Sequence, residues 1–285
     1  MRVVRSIAEL RRALDSERRA GRRVGLVPTM GAFHEGHLSL MRRARAECDV
    51  VVVSLFVNPA QFTDSADLAA YPRDDARDER LAGAEGVHLL FMPSADEIYP
   101  PGFATHVEVS GVTEPLEGLA RGAAHFRGVA TVVAKLFNIV QPDVAYFGQK
   151  DAQQCVVVRR FVRDLDMRVR IEVCPTVREQ DGLAMSSRNV RLSPSARARA
   201  VGLSEALRAA ESALKAGKRS AADLVRSARN VLAARGIAAG DVEYVAVVDP
   251  ETLAPVMAVE DRALVVIAAR VDKVRLIDNA VVGVA

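Results

Sequence analysis

The sequence has only three cysteines and no long apolar run, and each scarcity excludes a class of protein. Cys48, Cys155 and Cys174 lie far apart without CxxC spacing, and an odd count suits neither a disulfide framework nor a zinc site. We therefore expect three buried thiols. The absence of 18 consecutive apolar residues predicts no membrane span, and the first residues lack the features of a secretory signal. These absences together predict a cytoplasmic protein that does not bind membranes.

An excess of one charge is also lacking. The 39 basic and 36 acidic residues leave a net charge of +3 and are spread along the chain. A nucleic-acid surface needs a concentrated basic face, so we expect no nucleic-acid partner, and any anionic partner should be small. What the chain does contain is 50% hydrophobic residues over 285 positions, which is enough for one large core or two modest ones.

Short apolar runs alternate with helical patterns in the first part of the chain. Ser6 to Glu9 has the spacing of a capping box, and the following apolar residues recur at helical intervals. A strand, loop, helix and strand between residues 24 and 57 have the size and order of a βαβ unit with a parallel sheet. The pattern predicts strands at 24–27, 49–57, 88–92, 105–109, 143–147 and 169–173, and helices at 7–20, 38–46, 74–84, 128–140 and 151–162.

The pattern of apolar and polar residues changes after residue 176. A polar stretch at 178–191 leads to Ala/Arg-rich helices at 193–216 and 220–234, which precede strands at 242–248, 263–269 and 274–277. We therefore predict an α/β protein. A Rossmann-like, doubly wound parallel sheet occupies residues 1–176, and a smaller α+β domain occupies residues 177–285.

The first candidate site is Pro28 to His37, where the first long strand ends and a helix begins. Ligands bind at this place in open α/β sheets, and backbone N–H groups at a helix N-terminus favour phosphate. Gly31 and Gly36 permit close approach of a nucleotide, while His34 and His37 can donate hydrogen bonds to phosphate oxygens. The same pattern is also compatible with a capped turn. A zinc site is disfavoured because HxxH lacks the spacing of HExxH and no third ligand is near.

Two further segments offer cationic groups. Phe147 to Asp151 lies at another predicted strand-to-helix junction and includes Lys150, which could neutralise phosphate charge. Met185 to Arg188 offers two hydroxyls and a guanidinium that can hold phosphate oxygens in a bidentate manner. Either segment alone could be an ordinary capped loop or linker. The three segments together provide donors for one polyphosphate.

These segments carry a resemblance to a known family. Residues 28–37 resemble the PTMGALHEGH signature of the pantothenate synthetases, which belong to the HIGH-motif nucleotidylyl transferase superfamily, except that Phe33 replaces Leu. Met185 to Arg188 is similar to the KMSKS loop of the same superfamily. Residues 56–62, 71–73, 125–129 and 181–189 also look like family motifs, and residues 275–279 do so more weakly. The resemblance is clear over the predicted first domain and the linker.

The resemblance implies roles for individual residues. His34, His37, Lys150 and Arg188 would serve catalysis by hydrogen bonding and charge stabilisation. Gln61 would bind pantoate and β-alanine, Gln154 would bind pantoate, and His125 is a further substrate-binding candidate. His88 and His106 lie outside these segments and are expected to be structural. The ATP site would comprise Met30, Gly31, Ala32, Phe33, His34, Glu35, Gly36, His37, Gly148, Gln149, Lys150, Asp151, Val177, Met185, Ser186, Ser187 and Arg188.

The implied reaction is the ATP-dependent condensation of pantoate with β-alanine through an acyl adenylate, releasing pyrophosphate and then AMP. ATP would be a substrate accompanied by Mg²⁺, and no residue of the chain is singled out as a metal ligand. The resemblance also implies a homodimer and a C-terminal domain that covers the active site. Two alternatives stay open: another adenylyl-transferring enzyme of the superfamily, or a non-catalytic nucleotide sensor.

Overall fold

The computed structural model describes residues 1–284, which divide into two compact units. The first unit comprises residues 1–148 and 153–175. The second comprises residues 149–152 and the described chain from Thr176 onward. The short segment 149–152 therefore packs with the later part of the chain, although it is flanked in sequence by the first unit.

The first unit is built on a six-stranded parallel sheet, which confirms the predicted Rossmann-like, doubly wound architecture. Its strands in chain order are β1 (Arg2–Val4), β2 (Val24–Thr29), β3 (Val50–Leu55), β4 (Leu89–Phe91), β5 (Val144–Gly148) and β6 (Arg170–Cys174). Their spatial order is β1-β4-β3-β2-β5-β6. The chain leaves β2 in one direction through β3 and β4, and it continues on the other side through β5 and β6. The topological switch point, where such sheets bind ligands, therefore lies between β2 and β5.

Helices cover this sheet. Ser6 caps the first of them by accepting a hydrogen bond from the Glu9 N–H at 3.2 Å, which confirms the predicted capping residue. The helices described in the first unit's part of the sequence are α1 (Ile7–Arg19), α2 (Glu35–Glu47), α3 (Ser65–Ala69), α4 (Asp75–Ala84), α5 (Ala95–Ile98), α6 (Glu117–Arg121), α7 (Ala123–Val140) and α8 (Ala152–Asp164).

The sheet is apolar on both faces because successive residues of a strand point to opposite sides. Every residue of β3 is buried. On one face Val51, Val53 and Tyr146 belong to a buried cluster with Met41 of α2 and Ala82 of α4. Runs of Val in β2 and β3 thus form a sheet that is enclosed by helices. The three cysteines are buried, as predicted.

Helix α7 is long and apolar enough to cross a membrane by length and composition alone. Of that stretch, 67% is buried inside the fold, and its apolar side chains include Phe126, Leu136 and Phe137. This burial is typical of a core helix in a folded domain.

The second unit combines helices with a small antiparallel sheet, as expected for an α+β fold. Helices α10 (Gly202–Lys215) and α11 (Ala221–Ala234) follow the short α9 (Pro194–Ala200). Strands β7 (Val242–Val248), β8 (Arg262–Val271) and β9 (Val274–Gly283) pair in that order. The helices bury their leucines against the valines and isoleucine of the sheet in one cluster.

Two predicted elements are wrong. Residues 105–109 form no strand: the Val107 N–H donates to the Thr131 hydroxyl at 3.0 Å, and only Val109 in this stretch is buried. The predicted helix at 193–216 is interrupted at Val201, beside Gly202. A Cβ on Gly202 would lie 2.9 Å from the Arg235 Cβ, so a close approach of α11 coincides with the break. The pattern also missed β1, α3, α5 and α6, which are three to five residues long.

Candidate active site

The loop between β2 and α2 begins with a sharp backbone turn. Gly31 and Ala32 both have positive φ, at 81° and 52°. A Cβ on Gly31 would lie 3.0 Å from Asp78 Oδ2 and 3.2 Å from Leu55 Cδ2, so glycine suits both the conformation and the space. The turn places residues 30–34 directly after the carboxyl end of β2, beside the switch point.

Asp78 of α4 holds this turn from beneath. Its carboxylate oxygens accept hydrogen bonds from the N–H groups of Ala32 at 2.6 Å and Phe33 at 2.8 Å. Arg77 donates to the Phe33 carbonyl at 2.9 Å. Burial raises the pKa of the Asp78 carboxyl, while the two backbone hydrogen bonds lower it. Asp78 is 1% exposed, so it orders the backbone of the loop and contributes little directly to the surface.

The two histidines of the motif form the N-terminal cap of α2. His34 Nδ1 accepts from the Gly36 N–H at 3.1 Å, and His37 Nδ1 accepts from the His34 N–H at 3.3 Å. A ring nitrogen that accepts a hydrogen bond is unprotonated, so each neutral ring carries its proton on Nε2. The ring centroids are 4.2 Å apart. Each ring therefore supplies an Nε2–H donor at a helix N-terminus, where the helix dipole favours an anion.

Gln61 lies in a second segment of the first unit that contacts the motif loop. It ends a 3₁₀ turn, Pro59–Gln61, that follows β3. Its Oε1 accepts from Asn58 Nδ2 at 3.1 Å, and its Nε2 contacts Met30 Sδ at 2.8 Å. Asn58 is itself buried and accepts a hydrogen bond from the Tyr99 hydroxyl at 2.8 Å. These contacts orient the Gln61 amide so that its nitrogen faces the motif loop.

The 3₁₀ turn packs closely against α7. A Cβ on Gly128 would lie 2.1 Å from the Ala60 carbonyl oxygen and 2.7 Å from the Gln61 nitrogen, so only glycine permits this approach. His125, one turn earlier on α7, donates from Nδ1 to the Gln61 carbonyl at 2.7 Å. A carbonyl only accepts, so the neutral His125 ring carries its proton on Nδ1 and has an acceptor at Nε2.

In the second unit, Lys150 lies in a three-residue 3₁₀ helix, Gln149–Asp151. Its ammonium nitrogen is 3.6 Å from Asp151 Oδ1, and its side chain is 18% exposed. The side chain of Asn279 on β9 binds the backbone of Gln149 and Lys150. Lys150 is thus held by the C-terminal sheet.

Val177 and Met185 are joined by a backbone hydrogen bond of 3.0 Å, which closes a hairpin-like turn over residues 177–185. Arg178 of this turn forms a bidentate ion pair with the buried Asp278 at 2.6 and 3.0 Å. Ser186 caps the next 3₁₀ helix by accepting from the Arg188 N–H at 3.2 Å. The second unit therefore anchors both of its motif segments on neighbouring residues of β9.

Within the first unit the structure brings together the motif loop, Gln61 and His125. Gln154 is half-buried in the first turn of α8. His88 accepts a hydrogen bond from the Val51 N–H of β3 at 2.9 Å, in agreement with a structural role. The sequence interpretation assigned no role to the residues that hold the site in place, because they act through buried contacts distant in sequence: Asn58, Asp78, Tyr99, Gly128, Asp278 and Asn279.

Among residues 1–284 no group of three or more His, Cys, Asp or Glu side chains is arranged to hold a metal ion.

Comparison with known proteins identifies the family of the chain. The profile of the pantoate-beta-alanine ligase family matches residues 2–281. A pantothenate synthetase of Chloroflexus aggregans is 55% identical over 98% of this chain and 99% of the relative. The crystal structure of pantothenate synthetase from Thermus thermophilus has a TM-score of 0.91 and 49% identity, covering 98% of this chain and 99% of that one. The Francisella tularensis pantoate-beta-alanine ligase, complexed with "Beta-gamma ATP and Beta-alanine", has a TM-score of 0.80 and 33% identity, covering 98% and 97%. The chain belongs to the pantoate-beta-alanine ligase family.

Proposed function

We propose that this chain catalyses the ATP-dependent condensation of pantoate with β-alanine through a pantoyl adenylate, releasing AMP and pyrophosphate. The observation that carries the proposal is the paired cap of His34 and His37, which supplies two Nε2–H donors at a helix N-terminus beside the switch point of the sheet. Family membership specifies the acid and the amine. The Francisella relative, whose complex contains an ATP compound and β-alanine, supports ATP and β-alanine as two of the three substrates.

ATP is proposed to bind the motif loop of the first unit and the two segments of the second. His34 and His37 would donate to phosphate oxygens, Lys150 would supply a point cation, and Arg188 would hold oxygens in a bidentate manner. The remaining contacts would come from backbone and small side chains. This set comprises Met30, Gly31, Ala32, Phe33, Glu35, Gly36, Gly148, Gln149, Asp151, Val177, Met185, Ser186 and Ser187.

Pantoate is proposed to bind Gln61 and Gln154, and β-alanine to contact Gln61. The Oε1 of Gln61 is engaged by Asn58, so its Nε2 is the end that can donate to a substrate oxygen. Such a donor would orient the hydroxy acid while leaving a carboxylate oxygen available as the nucleophile. His125, whose Nε2 is an acceptor, is a further candidate for a substrate hydroxyl.

The proposed chemistry has two displacements. A pantoate carboxylate oxygen attacks the α-phosphorus of ATP, and the bond from that phosphorus to the pyrophosphate oxygen breaks. The β-alanine nitrogen then attacks the acyl carbon, the bond from carbon to the AMP oxygen breaks, and the amine loses a proton. Because negative charge shifts onto the departing pyrophosphate, fixed donors and cations stabilise the transition state of the first step.

Three further assignments belong to this proposal. Mg²⁺ is proposed to bind with the triphosphate and to neutralise part of its charge. The family resemblance supports a homodimer. A cytoplasmic location is proposed because ATP is the co-substrate and the three cysteines are buried thiols.

The test is a direct assay of products with a matched pair of histidine variants. The wild-type enzyme should form AMP and pantothenate only when ATP, pantoate and β-alanine are all present. His37→Ala should lower adenylate formation by about 10²-fold, because it removes one preorganised donor. His106→Ala, which removes an exposed histidine outside the proposed site, should leave the rate unchanged.

The outcomes separate this proposal from its rivals. Transfer of AMP onto a stable product would identify another adenylyl transferase of the superfamily. ATP binding without pantoate-dependent release of pyrophosphate would identify a nucleotide sensor. An unchanged rate of pyrophosphate release in His37→Ala would contradict the role given to that ring.

A further inference from the structure

Asn279 of β9 binds the segment that carries Lys150. Its Nδ2 donates to the carbonyl oxygens of Gln149 at 3.0 Å and Lys150 at 2.9 Å. Its Oδ1 accepts from Gln149 Nε2 at 2.9 Å. The residue is 5% exposed. Both N–H donors and the oxygen of this amide are therefore engaged with one two-residue stretch of chain.

The three hydrogen bonds between this segment and position 279 require an amide side chain. Gln149–Asp151 is a single 3₁₀ turn that continues directly into α8, and Asn279 binds the carbonyl groups of its first two residues. A carboxylate at position 279 would place an anionic oxygen against two carbonyl oxygens, and a methyl group would leave both carbonyls without this donor. Only a short side chain with two N–H donors and one acceptor can make all three bonds.

Strand β9, which carries Asn279, is itself held in place by its neighbours. β9 pairs with β8 over ten residues, and Asn279 lies opposite Val266 in the middle of that ladder. The preceding residue, Asp278, is fixed by its ion pair with Arg178. Asn279 therefore links a ten-residue strand pairing of the second unit to the segment that carries Lys150.

We propose that Asn279 is a positioning residue for Lys150: by fixing the backbone of residues 149–150, it holds the Lys150 ammonium where the phosphates of ATP bind. The inference rests on the proposed function, in which Lys150 contacts ATP. Asn279 itself contacts no substrate in this account, and its whole effect passes through Lys150.

A double-mutant cycle in the full-length enzyme tests this coupling. The assay is ATP–pyrophosphate exchange in the presence of pantoate, applied to the wild type, Asn279→Ala, Lys150→Ala and the double variant. Asn279→Ala should lower kcat/KM for ATP by about 10²-fold, as a displacement of about 1 Å in a catalytic group does, and should leave the KM for pantoate unchanged. The double variant should be no worse than Lys150→Ala alone.

Two controls separate positioning from loss of folding. Val281→Ala changes an exposed residue of the same strand and should leave the exchange rate and the melting temperature unchanged. Val282→Ala creates a cavity in the core beside β8 and should lower the melting temperature without changing the KM for ATP. If Asn279→Ala does not fold, Asn279→Ser, an uncharged polar residue that cannot make all three hydrogen bonds, replaces it in the cycle.

The possible failures are distinguishable. Additive losses in the cycle, or equal effects on the KM for ATP and for pantoate, would show that Asn279 does not act through Lys150. Normal exchange by Lys150→Ala would remove the role of the lysine, and the inference with it. A wild-type enzyme without exchange would refute the proposed function itself.

Discussion

Replacement of Gly128 by alanine should displace the 3₁₀ turn that carries Gln61, because the added methyl group would clash with the backbone of that turn. The new Cβ would lie 2.1 Å from the Ala60 carbonyl oxygen, whereas real Cβ atoms essentially never approach closer than 3.0 Å. Both partners are backbone, so no side chain can rotate away. The turn that carries Gln61 must therefore move from α7 by about 1 Å, a displacement that can cost about 10²-fold in rate.

Stability should change much less than activity. Alanine is favoured over glycine in a helix by about 0.5–1 kcal/mol, whereas overpacking costs about 1–3 kcal/mol. The two effects nearly offset, and a net loss of about 1 kcal/mol lowers the melting temperature by about 2–4 °C in a protein of this size. Gly128→Ala should thus remain folded while its kcat/KM for pantoate falls by about 10²-fold.

Gly83→Ala is the matched control. Gly83 lies in α4 of the same unit, and the nearest atom to its added Cβ would be Met1 Cε at 3.9 Å. This substitution should raise the melting temperature slightly and leave pantoate-dependent exchange unchanged. The steric reasoning would be refuted if Gly128→Ala matched Gly83→Ala in both measurements.

Three further predictions concern contacts around the site. Tyr99→Phe removes a buried hydroxyl that donates a hydrogen bond to Asn58 and whose pKa burial raises to about 12. Calorimetry should show that the free energy of unfolding falls by about 0.5–1.5 kcal/mol. An unchanged melting temperature would contradict this prediction. Asp278→Ala leaves Arg178 without its buried partner and should cost about 3–5 kcal/mol in urea unfolding; a loss below about 1 kcal/mol would mean that the pair is dispensable. Hydrogen bonds from the N–H groups of Thr252 and Glu251 lower the pKa of Asp249 in the folded protein. Its contribution to folding stability is therefore fully present above the unfolded pKa of about 3.9, and it is lost as the pH falls through the lower pKa of the folded state. Asp249→Asn should therefore make the free energy of unfolding depend less on pH at acid pH. An unaltered pH dependence would argue against this prediction.

The sheet could be predicted because its strands are buried on both faces and therefore form apolar runs between polar turns. The false strand at 105–109 shows the limit of this signal. Val107 and Val109 alternate with polar residues as in a strand, but the Val107 N–H is satisfied by a threonine hydroxyl and no strand pairs with it. Strand β1, with three residues, is too short to show any period.

Part of the candidate site could also be predicted from the sequence, because some of its residues lie close together in the chain. His34 and His37 lie three residues apart at a strand-to-helix junction, so local spacing alone predicts that they act together. Asp78 lies 45 residues from Phe33, whose N–H it binds. Nothing near Asp78 in the sequence distinguishes it from the other carboxylates of α4, and Gly128 has no local sign of its close backbone contact. Supporting residues of this kind become visible only when distant segments pack together.

The measurement that tests the central claim most directly is exchange of labelled pyrophosphate into ATP without β-alanine. The account predicts exchange that requires pantoate, because the adenylate forms and reverses before any amine is present, and weaker exchange with related hydroxy acids. Exchange that is absent, or equally fast without pantoate, would contradict it.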